Sequence, residues 1–308
     1  MAVTLHMEPK TPPMSWETFC ATKPPFSVAL DGYVVGAPRF DSQSPQINFN
    51  HHEEVSRLET RSTSGQVLIA IRQGLFLCFQ QNGQPHAHMY VNDCDQDVCT
   101  SSTLLRNPDM LTLPNPRLNR FVYLVDILDT TSGLCALPVQ ESVLGQHAWI
   151  FDPYIQFRLG GQIDKRNPIE FEDIINTVSS RILQHVAGNE TSIPPDRRYE
   201  LLGGETYWKM IREIGTYARC TLFEKGIRAI ITVRERTDGK WNYTFCKAAQ
   251  FIPLDISLII TTLNKLEGLT ESPDRHGGCN MTAGTSRNLG CAVPPKELEQ
   301  IIKSLKKN

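Results

Sequence analysis

Apolar positions come in short runs near the start of the chain and in longer helical stripes further along. Phe26–Leu30 is an almost continuous apolar run that stops at Asp31-Gly32. It reads as a strand presenting a carboxylate at its C-terminal edge, or as a strand running into a turn, since Asp-Gly is common in turns. Phe40-Asp41 follows and places a second acid nearby in sequence. Gln46–Asn50 alternates polar and apolar residues with the period of a strand and leads into His51-His52-Glu53-Glu54. Ser64–Arg72 reads as a helix with Ser or Thr at its N-cap. His86–Val91 is a second short strand that runs into Asn92-Asp93-Cys94-Asp95-Gln96-Asp97. Val98–Arg106 fits a helix ended by Asn107-Pro108, and Leu118–Asp129 fits helix or strand.

Residues 134–168 show no sustained period and read as irregular. Phe171–Val186 has helical spacing, with Gly188 as its C-terminal cap, and suits a connector between domains. Residues 193–199 read as the linker that follows. The pattern then turns β-rich. Gly226–Arg236 and Trp241–Cys246 flank Asp238-Gly239, a hairpin signal. Asp255–Leu266 fits a helix, His276–Gly290 a glycine-rich loop, and residues 294–305 a final amphipathic helix. The order predicts an α/β chain with an extended arm over 1–25, a larger domain over 26–168, a connector helix over 169–192 and a smaller α+β domain over 193–308.

Composition narrows the function classes only a little. With 31 basic and 33 acidic residues the net charge is −2, which offers no overall field for nucleic acid or anionic lipid. It disfavours long nucleic acids as substrates, short fragments apart, and favours something small. No basic segment followed by an apolar run opens the chain, and no apolar stretch is long enough for a bilayer, so no membrane role is expected. Nine cysteines without repeating spacing argue for free thiols and a cytoplasmic setting.

The chemistry concentrates in two places. Asp93, Asp95 and Asp97 alternate directly after a strand and repel one another unless cations or donors share the site. Carboxylates together with the imidazoles of His51 and His52 suit Mn²⁺, or Mg²⁺ with fewer nitrogen ligands. The alternative is a solvated acidic turn. Asp126 is a further ligand candidate, or else a surface carboxylate. A competing zinc site would use His86, His88, Cys94 and Cys99, but this spacing resembles no common structural zinc site. Arg57 and Arg61, with Ser62 and Thr63, suit an anion near a helix N-terminus, or a solvated charged loop. In the glycine-rich loop, His276, Gly277 and Gly278 would let backbone N–H groups approach an anion, with Arg287 able to pair with a phosphate.

A strand ending in Asp31-Gly32, the pair His51-His52, a strand running into Asp93 and Asp95, a later Asp126, a connector helix and a small domain with His276-Gly277-Gly278 together resemble the DHH phosphoesterase superfamily in outline over roughly residues 26–300. The resemblance implies a Rossmann-like, mostly parallel sheet domain and a smaller C-terminal domain, with Mn²⁺ held at the cleft between them. Asp31, His51, Asp93, Asp95 and Asp126 would be ligands. His52 would contact the phosphoryl group or the leaving oxygen, and Arg287 with the loop would grip the non-reacting end of the substrate. The implied activity is hydrolysis of a small phosphate ester or phosphodiester. The chain departs from the family pattern at Asn50, which stands where the family has the aspartate of Asp-His-His. That departure admits a catalytically silent or ligand-binding protein, or a metal-dependent enzyme of another reaction class on the same scaffold. The sequence does not specify the oligomeric state.

Overall fold

The structure, a computed structural model, describes residues 2–136, 140–272 and 274–305. The chain is mixed α/β and divides into two compact units, each with its own multi-stranded sheet. The first unit comprises the residues up to Thr130 and those ending at Pro194. The second comprises a short stretch beginning at Thr131 and everything from Pro195 onward.

In chain order the first unit contains β1 (Ala2–Met7), α1 (Trp16–Thr22), β2 (Ser27–Leu30), β3 (Arg39–Asp41), β4 (Gln46–Phe49), α2 (Thr63–Arg72), α3 (Leu75–Cys78), β5 (Gln80–Gln81), β6 (Gln84–Val91), α4 (Gln96–Arg106), α5 (Pro116–Thr130), α6 (Glu141–Leu159) and α7 (Pro168–Val186). The sheet order is β1-β6-β2-β4-β3, with β5 folded onto β6. The ladders β1–β6, β6–β2 and β2–β4 are parallel, and β3 is antiparallel to β4. All four residues of β2 are buried, as expected for a central parallel strand covered on both faces. Val28, Leu30, Met89 and Val91 of the sheet share a core with Leu104 and Leu105 of α4 and Val178 and Ile182 of α7. That core holds the ends of β2, β4 and β6 together, and the acidic and histidine segments follow those ends.

Three segments differ from the sequence expectations. The N-terminal arm is built into the sheet: Val3 to Met7 pair in parallel with Ala87 to Val91. Its five prolines fall in the connections on either side of α1 and leave the strand uninterrupted. Of the stretch read as irregular, residues 137–139 lie outside the described residues, and Glu141–Leu159 forms a 19-residue helix. Pro153 obscured it, because a proline in a helix interior strands the carbonyl four residues back. Here that carbonyl is Trp149 O, and Arg181 of α7 donates a hydrogen bond to it. Finally, α7 belongs to the first unit. Its stripe of Phe171, Ile175, Val178 and Ile182 is buried, and it packs on α4 and α6.

The second unit contains β7 (Tyr199–Gly204), β8 (Trp208–Glu213), α8 (Ala218–Glu224), β9 (Ala229–Glu235), β10 (Trp241–Lys247), α9 (Ile256–Leu266), β11 (Gly277–Gly278), β12 (Thr282–Gly284) and α10 (Pro295–Leu305). Its sheet order is β11-β12-β10-β9-β8-β7, with only β8–β9 parallel. The β9–β10 hairpin turns at Gly239, whose φ of +78° is the left-handed conformation that Asp-Gly signals. Trp208, Met210, Ile231 and Phe245 pack with Ile259 and Leu263 of α9 and Leu298 of α10. All nine cysteines are unpaired. Among the described residues no helix is long and apolar enough to cross a membrane.

Candidate metal centre

Asp31 leaves β2 with a φ of +51°, followed by Gly32 at +82°. A left-handed aspartate is uncommon and costs some strain. The surroundings hold it there: its N–H donates to Phe49 O at 2.9 Å, and its Oδ1 accepts from Thr63 Oγ1 at 3.0 Å. The same Oδ1 lies 2.9 Å from His52 Nε2 and 3.4 Å from His51 Nε2.

The two histidines follow β4, where the backbone leaves the regular strand and both rings can turn toward one point. Asn50 makes that turn. Its Oδ1 accepts from the N–H groups of His51 at 2.8 Å and His52 at 3.1 Å. Its Nδ2 donates to Val34 O at 3.2 Å and Gly36 O at 2.8 Å. Asn50 is fully buried, and its side chain ties the His51-His52 backbone to the loop that follows β2. The residue that departs from the Asp-His-His pattern is a backbone clamp that needs an amide donor.

His51 is fully buried. Its Nε2 lies 2.8 Å from Asp129 Oδ2 and 3.9 Å from Asp97 Oδ2. Neither ring nitrogen of His51, nor Asp129 Oδ2, has a hydrogen-bond partner, although nitrogen and oxygen stand within contact distance. Buried polar atoms are normally satisfied. A buried imidazole flanked by carboxylates at these distances offers a donor set that suits a divalent cation. Ligand atoms of Asp31, His51 and His52, and of His51, Asp97 and Asp129, form two compact groups sharing His51, each with all its atoms within 4.8 Å of one another.

The electrostatics agree. Burial and the charges of Asp129 and Asp31 push the Asp97 carboxyl up to about 7, with His51 opposing. Burial, Asp31, Asp93 and Asp129 push Asp95 well above the usual range. Burial works against a proton on His51, yet Asp129 and Asp31 push it up to about 10. Burial would raise Asp31, but His52 and His51 hold it well below the ordinary value. Three carboxylates, Asp31, Asp97 and Asp129, thus bear on one buried imidazole. Such an arrangement is costly without further positive charge.

No protein-family model matches this sequence, and no curated protein matches it. The site therefore has to be judged on its own geometry.

Each residue singled out from the sequence has a defined place. Asp31 and His51 lie in the cluster, with His52 beside them. Asp93 follows β6, and its Oδ1 accepts from Cys94 N at 2.7 Å. Asp95 is the N-cap of α4, accepting from Asp97 N at 3.1 Å and Val98 N at 2.9 Å. Asp126 accepts from Ser62 N at 2.6 Å and pairs with Arg61 at 3.3 Å, so it serves the entry of α2. Arg57 is buried and braces the site: it donates to Asp129 O at 2.9 Å and reaches His52 Nδ1 at 3.1 Å. An arginine is always a donor, so His52 Nδ1 accepts and the proton sits on Nε2.

His276, Gly277, Gly278 and Arg287 belong to the second unit. His276 is buried, with Nδ1 accepting from Ser286 N at 2.9 Å and Nε2 against Glu267 Oε2 at 2.8 Å, so it presents no free nitrogen to a ligand. Gly278 has a φ of +134°, and a Cβ there would come 2.4 Å from Ala283 Cα, so strand pairing alone requires glycine. Arg287 is exposed, and its carbonyl accepts from Arg236 at 2.9 Å. The alternative zinc set does not assemble: no ligand cluster among the described residues contains His86, His88, Cys94 or Cys99, and His88 pairs with His6 at 3.2 Å.

Sequence reasoning passed over two members. Asp129 lies three residues after Asp126, on the same face of a helix, and that spacing was the signal once helix was chosen over strand. The sequence places Asp97 in the acidic cluster after a strand but outside the expected ligand set. It lies in the first turn of α4, where it accepts from Thr63 N at 2.5 Å and Ser64 N at 2.8 Å of the opposing α2 N-terminus.

Proposed function

We propose that the first unit is a Rossmann-like metal-binding domain of the DHH phosphoesterase type, and that the protein is a metal-dependent phosphoesterase acting on a small phosphate ester or phosphodiester. The reading rests chiefly on one observation: ligand atoms of Asp31, His51 and His52, and of His51, Asp97 and Asp129, converge in two groups that share the buried His51, each within 4.8 Å. The cation set we favour is Asp31, His51, Asp97 and Asp129, with Asp93 and His52 at its margin. Mixed carboxylate and imidazole donors suit Mn²⁺, and Mg²⁺ less well. Held by these residues, a divalent cation would supply Lewis-acid chemistry, lowering the pKa of a bound water and neutralising charge on a phosphoryl group.

The chain's own groups supply the rest. The His52 side chain is 38% exposed, and Arg57 fixes its tautomer, so its Nε2–H is held by Asp31 Oδ1 and would have to leave that carboxylate to donate to a phosphoryl or leaving-group oxygen. Asp31 orients both imidazoles. Asp97 is held by the first N–H groups of α2, which keeps its second lone pairs aimed at the cluster. Asn50 gives no support to a silent protein, since its amide is spent on the backbone.

The deciding experiment is a titration of metal-stripped protein with Mn²⁺, followed by hydrolysis of bis-p-nitrophenyl phosphate and p-nitrophenyl phosphate. Turnover should require Mn²⁺ and should fall at least a hundredfold in His52→Ala. Metal binding without turnover on any phosphoester would reduce the protein to a binder. Absence of metal binding would remove the proposal altogether.

A further inference from the structure

A second site-like feature lies in the first unit, bounded by α5, α6 and α7. It is a cavity of about 330 Å³ lined by Arg117, Arg120, Phe121, Ser142, His147 and His185, among others. Arg117 is twelve residues from Asp129 along α5, about 18 Å at the helical rise, so the cavity is separate from the metal centre.

Its wall is rich in donors. Arg117 and Arg120 come from the first turns of α5, and Ser142 from the first turn of α6. The N-cap of α6, Gln140, makes no side-chain capping bond. The first-turn N–H groups of a helix attract anions when no side chain covers them. His185 is 7% exposed, and its Nδ1 has no hydrogen-bond partner. Burial, Arg117 and Arg120 lower its pKa, against a backbone hydrogen bond with Asn189 that raises it, so both guanidinium groups act on this ring. Phe121 lies beside it, with ring centroids 5.8 Å from His185 and 6.2 Å from His147.

Glu190, the carboxylate in the cavity lining, is weakly held. Glu190 pairs with Arg117 at 2.9 Å, but the two side chains are 72% and 41% exposed, and such pairs contribute little. No ion pair of Arg120 occurs among the described residues. Two guanidinium groups and an uncapped helix start call for a ligand with several acceptor oxygens. Phe121 and Leu124 call for an apolar or planar body behind them.

We propose that this cavity is a second ligand site, for a small phosphomonoester whose phosphate lies between Arg117 and Arg120 and whose body stacks toward Phe121. The ligand displaces Glu190 from Arg117. A volume of 330 Å³ is at the lower end of the range for small-molecule pockets, which limits the ligand to about the size of a phosphorylated ring.

The test is isothermal titration calorimetry of the full chain in EDTA at fixed ionic strength, with phenyl phosphate, inorganic phosphate and phenol as probes. Phenyl phosphate should bind saturably at one site, more tightly than inorganic phosphate, while phenol gives no heat. Arg120→Gln, an exposed position, should weaken phenyl phosphate at least fivefold. The double variant Arg117→Gln/Arg120→Gln should weaken it at least thirtyfold, with circular dichroism unchanged. His51→Ala should leave the affinity as it is. No saturable binding, binding unaffected by Arg120→Gln, or binding lost in His51→Ala would each overturn the proposal. None of these outcomes bears on Mn²⁺-dependent turnover, so the two readings fail separately.

Discussion

Asn50→Asp separates two explanations of the residue that departs from the Asp-His-His pattern. If Asn50 had replaced a metal ligand, restoring the carboxylate should tighten metal binding. The observed bonds argue the opposite. The substitution keeps the acceptor for His51 N and His52 N but turns the donor facing Val34 O and Gly36 O into a second acceptor. Two hydrogen bonds worth about 1 kcal/mol each are lost, and two buried carbonyls face a buried charge. The two backbone N–H groups bind a carboxylate more strongly than an amide, which offsets part of the loss. We expect a net destabilisation of about 3 kcal/mol at pH 7.5. The pH dependence has a definite sign. A protonated carboxyl can donate to one of the two carbonyls, so folding raises the pKa of the new Asp above its unfolded value of about 3.9. The folded variant then holds the extra proton, and its deficit relative to wild type shrinks as pH falls from 7.5 toward 4.5. Urea unfolding followed by circular dichroism at both pH values measures this, and a Mn²⁺ titration of the same variant completes the comparison. Stability within 0.5 kcal/mol of wild type at pH 7.5 (about the limit for a harmless surface change), or tighter Mn²⁺ binding, would refute the clamp.

Other outcomes follow from the same geometry. His51→Ala should lower Mn²⁺ affinity by a factor of about a hundred or more, at the upper end of what losing a supporting group costs, and leave the secondary structure intact; unchanged affinity in calorimetry would remove the imidazole from the site. Asp129→Asn should weaken Mn²⁺ more than Asp126→Asn does, because Asp129 meets His51 whereas Asp126 caps α2; equal losses would sink that distinction. Burial and His185 push His147 down to about 3, so it stays neutral in the fold while the unfolded chain takes up a proton below about 6.5. Its contribution is complete above pH 6.5 and is lost as pH falls toward 3, at up to about 1.4 kcal/mol per unit, and the stability-against-pH slope of His147→Gln should be shallower by that amount. Arg181→Met should cost about 1–3 kcal/mol in thermal or urea unfolding by leaving the Trp149 carbonyl without its donor beneath Pro153; a neutral result would mean that α6 adjusts without it.

Much of the architecture was legible along the chain because it depends on neighbours in sequence. The largely apolar Phe26–Leu30 reads as a strand, Asp238-Gly239 as a hairpin, and the apolar stripe of residues 171–186 as a helix packed on one side. His51 and His52 could be seen as chemically loaded for the same reason, since their strand and its end are local features. What the sequence could not decide was which donor stands opposite each acid. Asp126 and Asp129 are one helical turn apart, and Asp95 and Asp97 two residues apart, with the same chemistry. One of each pair caps a helix and the other faces His51. That assignment depends on how α2, α4 and α5 are set against the sheet, and these helices meet only through long-range packing. Pro153 is the same lesson in reverse: a local rule against helix was overruled by an arginine 28 positions later, reaching across from a neighbouring helix. Periodicity is set by adjacent side chains, whereas the role of a buried polar group is set by whatever distant residue completes its hydrogen bonds or shares its charge.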